Sequence, residues 1–245
     1  MLKIKDFEVM GIPMAIQGMR NPLNSWGKSD SRLCNYTCVT IDDIPGENVC
    51  NHLCGNKAFN GYLKIGEADM KLCKKLIKAG PADRKFMRMI HVQVSVLAPL
   101  YWWKECSTYW VGSTLNSCST MHTLHKRDLT LDDFSHEHLS ARSLELLQRL
   151  IDEINLNRVL YVKGFKGALG NENFDVEPNN KDYWWQMIQL LPDSFNQLRT
   201  FDLNYETLYS MYFQRRNHKL DEWHTFCEWI ESLPYMKEFI EAVEG

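Results

Sequence analysis

The sequence has no run of about 18 apolar residues, the length a helix needs to cross a hydrocarbon core. Its start, Met1-Leu2-Lys3-Ile4-Lys5, lacks the apolar region of a secretory signal. These two absences lead to the expectation of a cytoplasmic protein with no membrane partner. Positive charge is not in excess either: 28 Lys and Arg stand against 31 Asp and Glu, a formal net charge of −3. Duplex nucleic acid is ordinarily held by a basic surface that displaces counterions, so no long nucleic acid is expected as a partner. Internal repeats, low-complexity tracts and glycine motifs of the Walker or Rossmann type are all missing from the sequence.

Apolar residues at 44% and charged residues at 24% describe an ordinary globular composition. A chain of 245 residues is long enough to bury a large core and reads as one domain over residues 1–245. Lys71, Lys74, Lys75 and Lys78 fall on one face of an expected helix, which reads as a solvated face. Among eight cysteines, Cys34 and Cys38, then Cys50 and Cys54, form two pairs at the same spacing, with His52 nearby. Four thiolates at such gaps can close a tetrahedral zinc site. Cys38 also lies in Cys-Val-Thr-Ile, a strand-like stretch where a free cysteine packs as a small core residue. The second reading is kept, and no metal is assigned.

Residues 3–10, 36–41 and 92–96 alternate as strands do, the last through Val92, Val94 and Val96. The spacing predicts a helix over 68–79, stopped by Gly80-Pro81, and a long amphipathic helix over 140–156. The apolar face of the long helix is expected to carry Leu144, Leu146, Leu147, Leu150, Ile151 and Ile154. A short capped turn is expected at 130–134, and further helices at 181–191, 204–216, 219–232 and 235–243. Residues 164–180 are loop-rich and read as a possible insertion. Residues 18–32 combine Gly, Pro, Asn and Ser with Arg20, Trp26 and Lys28, a composition that suits a surface loop or a loop contacting phosphate.

The most informative stretch follows the third strand: Ala98-Pro99, then Tyr101-Trp102-Trp103, then a Ser/Asn-rich loop through Ser119. Pro99 cannot donate to a ladder and suits the first turn of a helix. Three aromatic residues in succession cannot share one helix face. They form either an aromatic core or, in part, a subunit contact or pocket wall.

Strand, Ala-Pro, aromatic helix and Ser/Asn-rich loop resemble the flavin-dependent thymidylate synthases, the ThyX-like family. There the helix is followed by Arg-His-Arg-x-x-Ser-x-Asn-Glu-x-Ser-x-Arg-Tyr. Counted from Ala98-Pro99, the Arg-His-Arg positions fall on Thr108, Tyr109 and Trp110, and the first motif serine on Ser113. Beyond Ser113 two registers are open. Without a gap, Asn116, Cys118 and Thr120 take the Glu, second Ser and Arg positions; with one inserted residue, Asn116 and Ser119 match the Asn and second Ser. A second block agrees at fixed spacing, with Leu191-Pro192, Asn204 and Arg215 on the family's Leu-Pro, flavin-side Asn and nucleotide-binding Arg. The family's intervening phosphate arginine falls on Leu198, beside Arg199, its upstream His near Asp83, and its nucleotide-contacting Gln on Glu105.

The resemblance implies an α+β fold, a twisted sheet packed against long helices, and assembly as a homotetramer. It also implies a nucleotide site comprising Tyr109, Trp110, Ser113, Asn116, Ser119, Asn204, Ser210, Arg215, Arg216 and Lys219. Because the three-residue basic motif is lost, the expectation is a small or cyclic nucleotide held without turnover, as by a sponge or sensor, and no bound cofactor. The alternative is an active flavin-dependent thymidylate synthase or another nucleotide-modifying flavoenzyme carrying FAD; a purely structural oligomer is a third class. Tyr109 and Trp110 exchange charge for π surfaces suited to a base. Cys118 has no adjacent base to activate it as a nucleophile.

Overall fold

A computed structural model describes residues 1–33, 63–109, 113–165 and 176–244. The chain opens with strand β1 (Lys3–Met10) and turns through Gly11, whose φ of 89° no Cβ-bearing residue adopts cheaply, into helix α1 (Ile12–Gly18). Two short strands, β2 (Arg32–Leu33) and β3 (Leu63–Lys64), pair antiparallel. Helix α2 (Glu67–Ala79) ends at Gly80, φ 109°, as its sequence predicts. Strand β4 (His91–Pro99) runs directly into α3 (Leu100–Cys106), with Pro99 as the N-cap residue. Then come β5 (Thr114–Ser117), α4 (Thr120–Thr123), α5 (Ala141–Lys163), α6 (Lys181–Leu190), β6 (Asn196–Asn204), α7 (Tyr205–Arg215), α8 (Asp221–Ser232) and α9 (Met236–Glu244). The main sheet has the order β1-β4-β6-β5. No described helix is long and apolar enough to cross a membrane.

Contacts cluster into two compact units. The first comprises Met1–Lys3, Val96–Thr108 and Asn116–Arg199. Its centre is the hairpin of α5 and α6, in which Leu147, Ile151 and Ile154 close on Met187 together with Leu124, Leu129 and Phe134. Each such side chain contributes roughly 1.5–3 kcal/mol when fully buried. Ser140 caps α5 by accepting from Ser143 N, and Asn180 caps α6 by accepting from Asp182 N. The turn at 130–134 is a capping box closed by Thr130 and Asp133. Leu146, expected on the buried face of α5, is 70% exposed instead. Trp102 and Trp103 resolve the aromatic alternatives in favour of a core: both are buried, edge to face at 4.8 Å. The Trp103 Nε1 donates to Gln197 O at 2.9 Å. Of the expected 164–180 loop, Phe165 and Val176 pair as an isolated bridge, and residues 166–175 lie outside the described residues.

The second unit comprises Ile4–Ser95, Tyr109–Leu115 and Thr200–Gly245. Here α2 packs on α9 and α7 on α8, around Ile77, Phe86, Leu208, Phe226 and Phe239. The loop at 18–32 is tied to the start of α2 by a buried ion pair. Asp69 accepts from Arg20 Nε at 2.5 Å, Ser29 Oγ at 2.6 Å, and both Oγ and N of Ser31. Asp30 accepts from Ala68 N and Asp69 N, satisfying two of the helix's orphan donors. Gly66 is required by closeness, since a Cβ there would stand 2.2 Å from Asp30 Cγ. This loop is thus a packed element whose Arg20 is already paired. The strand expected at 36–41 and the cysteines Cys34, Cys38, Cys50 and Cys54 lie outside the described residues.

Candidate nucleotide site

Strand β6 delivers Asn204 to the N-terminus of α7, where its side-chain oxygen accepts from Thr207 N at 2.9 Å and Thr207 Oγ1 at 3.2 Å. The buried Asn204 is therefore an N-cap, and its oxygen is already engaged. Along α7, Leu208, Met211 and Tyr212 enter the core. Ser210 and Gln214, four residues apart, share another face and are joined by Gln214 Nε2 donating to Ser210 Oγ at 2.9 Å. Arg215 closes the helix, where the macrodipole favours a cation.

The Arg215 guanidinium lies 4.9 Å from the Trp223 ring centroid and 5.6 Å from that of Tyr109. Its Nε donates to Tyr109 Oη at 2.9 Å, and Tyr109 Oη donates to Gln214 Oε1 at 3.0 Å. Tyr109 and Trp223 meet edge to face at 6.2 Å, and His218 meets Trp223 at 6.3 Å. A cation held between two π faces keeps its charge while its direction is fixed. Beside it, the Arg216 guanidinium rests 5.0 Å from the Phe213 ring centroid and 5.7 Å from that of Tyr212. Burial pushes the Tyr212 phenol up to about 12, and the hydrogen bond to Glu231 adds to this.

Of the residues singled out in the sequence, Tyr109, Ser210 and Arg215 are brought into one constellation within the second unit. Ser113, half-buried, donates from Oγ to Tyr109 O at 3.0 Å and so holds the tyrosine's backbone. Arg216 and Lys219 are exposed at the end of α7 and just beyond it. Asn116 and Ser119 belong to the first unit, Asn116 exposed on β5 and Ser119 as the N-cap residue of α4. Trp110 lies outside the described residues. Gln214 and Trp223 were not anticipated. Gln214 has a readable signal, its spacing of four from Ser210, whereas Trp223 shares the buried face of α8 with Phe226 and Ile230 and carries no such signal.

Leu198 and Arg199 both belong to the first unit. Leu198, which the sequence resemblance compares with the family's phosphate arginine, is 41% exposed. The Nε of Arg199 donates to Gln197 Oε1 at 2.8 Å and its guanidinium lies 4.8 Å from the Trp103 ring centroid, so that cation is already engaged.

No protein-family model and no curated protein matches the sequence. Among solved structures, the chain is similar to the flavin-dependent thymidylate synthase ThyX from Helicobacter pylori complexed with FAD and dUMP. One such structure matches with a TM-score of 0.57 and 12% identity, covering 96% of this chain and 97% of that one. A second, also with FAD and dUMP, matches with a TM-score of 0.58 and 13% identity over 100% of both chains. At such low identity the likeness speaks for architecture, and the chain has the α+β fold of the flavin-dependent thymidylate synthase ThyX.

Proposed function

We propose that this protein binds a small or cyclic nucleotide on a ThyX-like scaffold without thymidylate synthase turnover, sequestering or sensing it as a homotetramer. The observation that carries the reading is Arg215. It is the cation retained at the family's nucleotide-binding position, and Tyr109, which occupies the histidine position of the Arg-His-Arg motif, holds it by a hydrogen bond and a ring face. The ThyX structures of this fold were determined with dUMP bound. In this reading Arg215, aided by Arg216 or Lys219, meets the phosphate, Tyr109 or Trp110 walls the base, and Ser113 contributes a hydrogen bond. Thr108, Tyr109, Trp110 and Leu198 stand where charge-assisted contacts to flavin and phosphate would be needed, so FAD is expected to bind weakly.

The alternative is a flavoenzyme, favoured by the FAD present in both ThyX structures. Calorimetric titration with dUMP and cyclic mononucleotides tests the binding reading. Arg215→Ala is expected to weaken the tightest of these ligands by about ten- to a hundredfold, roughly 1.5–3 kcal/mol for a charge-assisted contact. Unchanged affinity in a folded Arg215→Ala protein removes Arg215 from the site.

A further inference from the structure

We propose that Gln214 is a positioning residue: it biases the Ser210 hydroxyl toward donating to an anionic oxygen of the ligand, a phosphate oxygen. The inference rests on the nucleotide reading above and concerns how that site selects its ligand.

Direction in this chain of bonds is set at its head. A guanidinium has donors only, so in the 2.9 Å contact Tyr109 Oη must accept from Arg215 Nε. The phenol proton then goes to Gln214 Oε1, 3.0 Å away. An amide whose oxygen faces Tyr109 presents its NH2 at the other end, and Ser210 Oγ lies there at 2.9 Å and accepts. Ser210 retains one proton to give. Helical serines commonly return it to the carbonyl four residues back, but among the described residues Ser210 donates no hydrogen bond. Ser210 is half-buried on α7, five residues before Arg215.

An isolated serine both donates and accepts, so it tolerates either kind of ligand atom. Here Gln214 fills one of the hydroxyl's two acceptor lone pairs, which biases the group toward donation. Each link from the guanidinium outward polarises the next, which makes the terminal O–H a better partner for a charged oxygen than for a neutral one. The site therefore reads the phosphate through a neutral hydroxyl whose polarity is imposed by a cation three groups along the chain. Gln214→Leu removes the imposed direction. Gln214→Glu reverses it, because a carboxylate still accepts from Tyr109 but takes the Ser210 proton as well.

The experiment is a calorimetric titration with dUMP as probe on the full chain, comparing wild type, Ser210→Ala, Gln214→Leu, Gln214→Glu and the double variant Ser210→Ala/Gln214→Leu. Ser210→Ala is expected to lose about tenfold in affinity and Gln214→Leu a few-fold. The double variant should be no weaker than Ser210→Ala alone, since Gln214 acts only through that hydroxyl. Gln214→Glu should lose at least as much as Ser210→Ala. In the ligand-free protein, the Gln214 side-chain amide signal in a 1H–15N spectrum, assigned by its disappearance in Gln214→Leu, should move in both Tyr109→Phe and Ser210→Ala. Multiplying losses in the double variant, or an unmoved amide signal, overturn the relay while leaving the nucleotide reading intact. Wild-type protein that binds neither dUMP nor inorganic phosphate overturns the ligand role together with the proposed function, whatever the amide signal does.

Discussion

Replacing Asp69 by Ala should destabilise this protein more than most single substitutions. The Asp69 carboxylate is 0% exposed and takes four hydrogen bonds, from Arg20 Nε, Ser29 Oγ, Ser31 N and Ser31 Oγ. Arg20 is itself only 4% exposed, and without Asp69 it keeps one long contact, from Nη1 to Ser25 O at 3.3 Å. Removing one partner of a buried pair typically costs about 3–5 kcal/mol, because the remaining charge is neither solvated nor matched. For a chain of this size each kcal/mol lowers the unfolding temperature by roughly 2–4 °C, so a fall of about 6–20 °C is expected. Differential scanning calorimetry measures it directly. The double variant Asp69→Leu/Arg20→Met, which removes both charges, should recover part of the loss although Ser29 would still lack its acceptor. A fall of less than about 2 °C in Asp69→Ala would refute the argument that this pair anchors the 18–32 loop.

Acid should act through the same carboxylate. Burial alone would raise its pKa, but donors from Ser29, Ser31 and Arg20 outweigh that and hold it below the ordinary 3.8. A depressed folded value means the stabilisation is complete above the unfolded pKa and is lost as pH falls through the folded one. Unfolding temperature should therefore drop below about pH 4, and Asp69→Asn should flatten that limb of the profile; parallel profiles would exclude Asp69 as a source. Titration with FAD should give no submicromolar dissociation constant, since each missing charge-assisted contact forfeits roughly 1.5–3 kcal/mol. A tight FAD complex would favour the flavoenzyme alternative.

Much of the scaffold was legible because its determinants are local. The Gly80 stop, the Thr130 capping box and the Pro99 boundary between strand and helix each depend on a few adjacent residues, and all three stand where the sequence puts them. Strand β6 was not legible, because its pattern is inverted at one end: Gln197 is buried while Leu198 is exposed. Gln197 earns its place by bonding to Cys118 O and accepting from Arg199, which no single-strand pattern reveals. Strand β5 was hidden likewise, in Thr114-Leu115-Asn116-Ser117, where only Leu115 is apolar. At the candidate site, the family spacing singled out Arg215 and Tyr109, and their union with Trp223 depends on how α8 folds back on α7. Spacing also marked Asn204 as a ligand residue, whereas the structure engages its oxygen in capping.

The central claim, a retained nucleotide site without flavin chemistry, is tested most directly by native mass spectrometry of the protein purified from cells, followed by identification of any small molecule released on heating. The account predicts a homotetramer carrying a mono- or cyclic nucleotide and no FAD. A yellow protein that releases FAD and converts dUMP to dTMP, or a protein that carries no nucleotide and binds none when offered, would contradict it.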